Sequence, residues 1–354
     1  MKILLVIPTL RHGGAERVMS ELANEWVSEG HEVHLALLIN EDRFYSLSEK
    51  VSVHILGFGG KGAISKMLSR ISVIYKLRRL ITKLKPGATL SFMAPYNIAT
   101  LLAGFILPAR IFISDRASPL VKYGAFERIL RRFLYPRATG IISQTEFAKN
   151  VMRKEIRHRN IAVIPNPVKV IEALPIKREN IVLCVGRFIP GKGQELLLRA
   201  FKEVDRSGWK LALLGDGPTR PQLEKIVREL DLEEKVLMPG AIKNIDEWLG
   251  RASVFAFPST SEGFPNALAE AMAAGLPCVS FNCNAGPSDL IRNGENGFLV
   301  EIKDYKLFVD RLAQLMSDQD IRRRFSSRAV KIRDELEGKA IARRFMTFMT
   351  ATQE

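Results

Sequence analysis

The sequence predicts an α/β protein of two doubly wound, Rossmann-like parallel-sheet domains facing a central cleft. Short β-branched runs alternate with amphipathic stretches along the chain, the rhythm of repeated βα units. That rhythm stops after "IAVIPNPV", residues 161–168, and restarts at "NIVLCVG". The 354 residues exceed one comfortable core, and 47% hydrophobic with 26% charged residues suits a folded, two-core chain.

In order, "ILLVIP" reads as the first strand and "AERVMSELANEWVSEG" as the first helix. The strands "EVHLALLI", "ATLSFM", "RIFIS" and "GIISQT" follow. The apolar run that opens the chain is too short for a secretion signal. Prolines around Asn166 and the polar "KREN" mark a boundary, so residues 1–166 form one domain and 167–340 a second. Residues 341–354 are expected to be a last helix crossing back to the first domain. The second domain's strands are "NIVLCVG", "KLALLGDG", "KVLMPG", "VFAFPS" and "CVSFN". Such sheets bind ligands beyond their strand C-termini, here in the cleft. No apolar run reaches the roughly 18 residues of a spanning helix, because "LLAGFILP" ends at Pro108 and Arg110.

Charge is uneven. Residues 1–172 hold 26 Lys and Arg against 13 Asp and Glu, whereas residues 173–354 hold 27 against 25. A basic first half points to a large anionic partner: phospholipid headgroups, a lipid pyrophosphate or nucleic acid. Nucleic acid is disfavoured, because no basic strand is interleaved with aromatics. Residues 61–85 carry eight Lys or Arg and no acid. Within them Lys66, Arg70, Lys76, Arg78 and Arg79 are candidate contacts to a lipid pyrophosphate or membrane, and the alternative is a sheet-covering helix with a solvated basic face. Ile64, Met67, Leu68, Ile71 and Tyr75 keep helical spacing before the stripe drifts to Leu77, Leu80, Ile81 and Leu84, which predicts a bend or two short helices.

The three cysteines, Cys184, Cys278 and Cys283, form no CxxC pair and have no nearby histidine, so a reducing compartment and no zinc site are expected. Of the five histidines only His12 falls in a candidate ligand loop.

"VGRFIPGKGQE", residues 185–195, is a glycine-rich turn between strand and helix. Gly186, Gly191 and Lys192 fit GxxxxGK, but Gly193 replaces the magnesium-binding Ser or Thr. Backbone N–H groups at the helix start, with Arg187 and Lys192, would neutralise a diphosphate without a cation; the alternative is an ordinary βα turn. "GFGGKG", residues 57–62, lacks an acid some 20 positions on and reads as a flexible loop. "DQD", residues 318–320, reads as a helix start capped by Ser317 or Asp318. In "HGGAERV" Gly13 and Gly14 would let a helix N-terminus approach an anion, and Gly215 in "GDGP" ends a strand on the same cleft.

"SEGFPNALAEAMAAGLP", residues 261–277, places Glu262 and Glu270 eight positions apart. On one helix they would be separated by about 12 Å of rise. That exceeds the roughly 5–10 Å of two carboxylates acting on one glycosidic bond, so the pair reads as two grips on one long ligand.

Together "GGAERV", "VGRFIPGKG" and "EGFPNALAE" resemble the retaining family 4 glycosyltransferases of the GT-B fold, over essentially the whole chain. The resemblance implies a first domain for the acceptor, a second for the nucleotide sugar, a UDP-sugar co-substrate, and no metal or other cofactor. It implies that Glu262 contacts the transferred sugar and Glu270 the ribose hydroxyls, while Arg187 and Lys192 hold the departing diphosphate. Amides of Phe264, Asn266 and Ala267, beside Gly263 and Pro265, would cradle sugar and phosphate, with Gly14 and Gly215 against the donor. A histidine common in the family is replaced in "ISDRASP" by Asp115 and Arg116, a pair similar to that of a branch acting on lipid-linked oligosaccharides, which makes this an acceptor or catalytic loop.

The opening and "NAGPSDLI", residues 284–291, look similar to bacterial transferases that add N-acetylgalactosamine to undecaprenyl-diphosphate-linked glycans. That implies a hexosyltransferase peripheral on the cytoplasmic face of the inner membrane, meeting an anionic surface and a polyprenyl-diphosphate-linked saccharide. The alternatives are another donor (UDP-GlcNAc, UDP-Gal or GDP-mannose), a soluble acceptor, or a non-enzymatic basic protein binding membrane or nucleic acid. The last leaves the phosphate loop and the Glu pair without a task.

Overall fold

A computed structural model describes residues 1–11, 13–39, 44–57, 59, 63–169, 177–204, 207–242 and 244–351, without the side chains of residues 63, 64 and 66. His12, Phe58 and residues 60–62, which include most of the "GFGGKG" run, lie outside the described residues. The chain divides into two compact units, Met1–Pro167 with Gly338–Glu354, and Val168–Glu337.

The first unit begins β1 (Lys2–Ile7), α1 (Gly14–Ser28), β2 (Glu32–Leu37), β3 (Ser52–Ile55) and α2 (Ala63–Leu84). It continues β4 (Ala88–Phe92), α3 (Ala94–Ala103), β5 (Ile111–Ser114), α4 (Ala125–Leu134), β6 (Gly140–Ser143), α5 (Glu146–Glu155) and β7 (Ile161–Val163). All seven strands are parallel, in the order β3-β2-β1-β4-β5-β6-β7. Helices cover both faces of such a sheet, which is why central strands such as "KILLVI" are apolar throughout rather than alternating.

The second unit runs β8 (Ile181–Val185), α6 (Gln194–Glu203), β9 (Lys210–Leu214), α7 (Arg220–Glu229), β10 (Val236–Gly240), α8 (Ile245–Arg251) and β11 (Val254–Phe257). Then come α9 (Asn266–Ala273), β12 (Cys278–Phe281), α10 (Pro287–Leu290), β13 (Phe298–Val300), α11 (Tyr305–Ser317), α12 (Gln319–Ala329) and α13 (Ile332–Glu335). Its parallel sheet is ordered β10-β9-β8-β11-β12-β13. The final helix α14 (Gly338–Ala351) packs in the first unit: the Trp26 indole N–H donates to the Ala342 carbonyl at 3.2 Å, and the Phe345 ring lies 6.4 Å from that of Phe92.

Three features depart from the sequence reading or extend it. The edge strands β3 and β13, four and three residues long, escape a sequence reading because so short a run carries no period. Helix α2 is one helix of 22 residues, not two short ones. The apparent drift is two stripes on one cylinder, roughly 130° apart by helical geometry. Val73, Leu77 and Ile81 are buried, whereas Met67, Leu68, Ile71 and Tyr75 are 64, 61, 55 and 65% exposed. Finally, "DQD" caps a helix: Asp318 Oδ1 accepts from the Asp320 and Ile321 amides, both at 2.9 Å.

Candidate functional site

In the second sheet the strand order reverses between β8 and β11, the switch point where doubly wound sheets leave a crevice beyond their C-terminal ends. The loop after β8 carries Gly186 to Gly193, and the loop after β11 carries Glu262. Gly193 presses them together: at φ +73° its backbone is left-handed, and a Cβ there would stand 2.0 Å from the Pro258 carbonyl oxygen. The Thr260 amide donates to the Gly191 carbonyl at 2.8 Å. Across this seam Lys192 Nζ donates to Glu262 Oε1 at 2.7 Å and to Oε2 at 2.8 Å. The Glu262 side chain is 8% exposed and that of Lys192 22%. Where a Walker loop needs Ser or Thr, this backbone has no room for any side chain.

The neighbouring thiols are not nucleophiles at neutral pH. Burial pushes Cys184 up to about 12, and burial followed by the Glu262 carboxylate pushes Cys283 up to about 11. Among the described residues no group of three or more His, Cys, Asp or Glu side chains could hold a metal ion.

The other residues singled out in this unit lie on the turns after β8, β9 and β11 and on α9. Arg187 is exposed, and its carbonyl accepts from the buried Gln194 side chain at 3.1 Å. Gly215, at φ +144°, would place a Cβ 2.0 Å from the Gly186 carbonyl oxygen, so the β9 turn lies directly on the β8 loop. Phe264 and Pro265 are buried at the start of α9, and Gly263, Asn266, Ala267 and Glu270 are half-buried. Gly286 of the "NAGPSDLI" turn, at φ +100°, packs so closely that a Cβ would meet Pro265 Cδ at 2.2 Å. Glu262 stands in the loop before α9 and Glu270 within it, so the two do not share a helix. The Asn266 amide donates to the Phe264 carbonyl at 3.0 Å, which occupies one of the amides expected to face a ligand.

In the first unit Gly14 opens α1 and is exposed, after Gly13 in extended backbone whose carbonyl accepts from Tyr45 Oη at 3.0 Å. Asp115 and Arg116 follow β5 and turn apart. Asp115 Oδ2 accepts from Arg131 Nη1 at 2.6 Å, and Oδ1 from Tyr135 Oη at 2.7 Å and Asn97 Nδ2 at 2.9 Å. Arg131 also lies over Tyr123, its Cζ 4.0 Å from the ring centroid. Burial and then the Asp115 charge raise the Tyr123 and Tyr135 hydroxyl pKa values well above the usual range, so both remain protonated donors. Arg116 points the other way, donating to Asn166 Oδ1 at 2.7 Å with its Cζ 3.7 Å from the Phe92 ring centroid, and burial lowers it to about 9. Only the i, i+4 step from Arg131 to Tyr135 could have signalled this network in the sequence. Arg131→Met, which leaves the Asp115 carboxylate without its arginine, is expected to destabilise the protein by roughly 3 kcal/mol in urea unfolding.

Of the candidate basic residues on α2, Arg70, Lys76 and Arg79 are exposed, and Lys76 Nζ donates to the Leu56 carbonyl at 2.7 Å. Arg78 Nη1 donates to the Ala103 and Phe105 carbonyls at 3.1 and 2.8 Å. The Lys66 side chain lies outside the described residues.

The two parallel-sheet units are those of the GT-B architecture of glycosyltransferases, with a charged pair held at the switch point of the second. The chain belongs to family 4 of these enzymes: the "Glycosyltransferase Family 4" model matches residues 12–171, and the "Glycosyl transferases group 1" model residues 169–332. It is 27% identical over 340 residues to the amylovoran biosynthesis glycosyltransferase AmsD of Erwinia amylovora, with 93% of each chain covered. It is 29% identical over 346 residues, 93% of each chain, to a Campylobacter jejuni protein named N-acetylgalactosamine-N,N'-diacetylbacillosaminyl-diphospho-undecaprenol 4-alpha-N-acetylgalactosaminyltransferase. Among solved structures, Anabaena HepE in complex with UDP superposes with a TM-score of 0.83 at 18% identity, covering 99% of this chain and 100% of that one.

Proposed function

We propose that this glycosyltransferase moves N-acetylgalactosamine from UDP, with retention and without a metal ion, onto an undecaprenyl-diphosphate-linked oligosaccharide at the cytoplasmic face of the inner membrane. The observation that carries the reading is the Lys192–Glu262 pair at the switch point beside the start of α9. As the bond from the sugar C1 to the β-phosphate oxygen breaks and C1 bonds to the acceptor hydroxyl oxygen, the electron pair leaves with UDP, charge collects on its phosphates, and the hydroxyl proton passes to the departing β-phosphate oxygen. Arg187, Lys192 and the amides of α9 that follow Asn266 are cationic or positively polarised groups suited to that charge, which is the task a divalent cation performs elsewhere. Glu262 then stands against the sugar, and Glu270, further along α9, takes the ribose hydroxyls.

The donor and acceptor follow the named activity of the Campylobacter relative. The basic first half of the chain suits a lipid pyrophosphate, and the exposed Arg70 and Arg79 of α2 are its proposed contacts. No helix among the described residues is long and apolar enough to cross a membrane, so the membrane contact proposed is peripheral.

Calorimetric titration with UDP, UDP-N-acetylgalactosamine, UDP-N-acetylglucosamine and GDP-mannose, EDTA present throughout, tests the donor side. UDP-N-acetylgalactosamine is expected to bind under chelation. Silence from all four overturns the metal-free donor site, and preference for another sugar nucleotide replaces the donor.

A further inference from the structure

Helix α4 carries two apolar faces, as α2 does. Leu134 is buried and Leu130 packs with it on the sheet, whereas Phe126, Ile129 and Phe133, at i, i+3 and i+7, are 74, 66 and 52% exposed. A second feature continues that outward stripe. In the turn after α3 Ile106 is 87% exposed at φ +66°, a left-handed backbone that a β-branched side chain rarely adopts. The turn is held by the Leu107 amide donating to the Gly104 carbonyl at 2.9 Å. Strain kept at a position that pushes a large apolar side chain into water points to use of that side chain. The turn and the helix form one surface: the Phe105 and Phe133 rings lie 6.4 Å apart, and the Arg137 guanidinium stacks 3.8 Å from the Phe133 centroid.

We propose that the Phe105–Ile106 turn and the outward stripe of α4 form a wedge that enters an anionic phospholipid bilayer. This rests on the membrane reading above and adds to it the element that penetrates. The rim identifies the occupant. Arg137 stacks on Phe133, Arg132 and Arg128 are exposed along one flank of the stripe, Lys122 is exposed in the loop before α4, and between residues 116 and 145 the only acid is Glu127. Residues 51–114, which include the turn and α2, contain no acid at all. Large apolar side chains flanked by cations match acyl chains beneath a layer of phosphates, with the guanidinium stems lying along the apolar surface. A second copy of the chain would set these cations against their own kind.

The wedge is tested with Phe126→Trp and with the double variant Ile129→Ser/Phe133→Ser, on phosphatidylcholine vesicles with and without phosphatidylglycerol. Unfolding midpoints serve as the check that each variant is folded. The expected results are quenching of the Phe126→Trp fluorescence by acyl-chain-brominated lipid beyond that of wild type, and at least a ten-fold loss of vesicle affinity in the double variant. Wild-type binding to anionic vesicles with no extra quenching and no loss in the double variant overturns the wedge and leaves the membrane reading standing. No wild-type binding to either vesicle overturns the membrane reading itself. A lipid-free dimer that the double variant abolishes also overturns the wedge, because the face would then be a self-association surface.

Discussion

Glu262→Gln and Lys192→Ala are each expected to lower sugar transfer by about 10²–10³-fold, the scale of removing one group aimed at transition-state charge. They are expected to differ in what they do to UDP. Lys192→Ala removes a cation proposed to hold the diphosphate, so calorimetry should show weaker UDP binding together with the lost rate. Glu262→Gln keeps the shape of the side chain while removing the charge that Lys192 Nζ meets at 2.7 and 2.8 Å. With the ammonium released from its carboxylate, UDP binding is expected to hold or tighten while transfer is lost. Full activity in either variant removes the pair from the chemistry. Loss of UDP binding in Glu262→Gln would instead make the carboxylate an organiser of the phosphate loop.

Gly193→Ser is expected to destabilise the protein by about 3 kcal/mol in urea unfolding, through left-handed strain and overpacking together. It restores the GxxxxGKS lettering of an NTPase loop, yet is expected to bring no nucleotide hydrolysis and to weaken UDP binding, because its Cβ would stand 2.0 Å from the Pro258 carbonyl oxygen. Gly294→Ala is the control. Gly294 has φ +78° and nothing lies within 4 Å of where its Cβ would stand, so strain acts alone there, at about 1 kcal/mol. If Gly193→Ser costs no more than Gly294→Ala and leaves UDP affinity intact, the contact with Pro258 does not hold the two loops together.

The sheets are legible in the sequence because their strands are nearly continuous apolar runs, such as "KILLVI" and "VFAF", separated by amphipathic helices. Such patterns are local, and local composition also identifies which loops can meet phosphate: glycines beside Arg187 and Lys192, and a carboxylate before "FPNALAE". The short edge strands β3 and β13 are illegible for the opposite reason, since three or four residues hold no period. On α2 the sequence announces two apolar stripes, but the choice of which faces the sheet depends on the neighbours, so the same pattern reads equally well as a bend.

Linear sequence therefore determines the two-unit α/β class and the chemical character of the candidate site. Tertiary structure alone decides the pairings. Lys192 and Glu262 are 70 residues apart and meet because one glycine lets two loops touch at a switch point. Asp115 and Arg116 are adjacent yet part, one to Arg131 and Tyr135, the other to Asn166 and Phe92. Which side chains remain uncovered, as on α2 and α4, is equally a matter of packing, because burial belongs to the contacts between elements and not to any residue's own type.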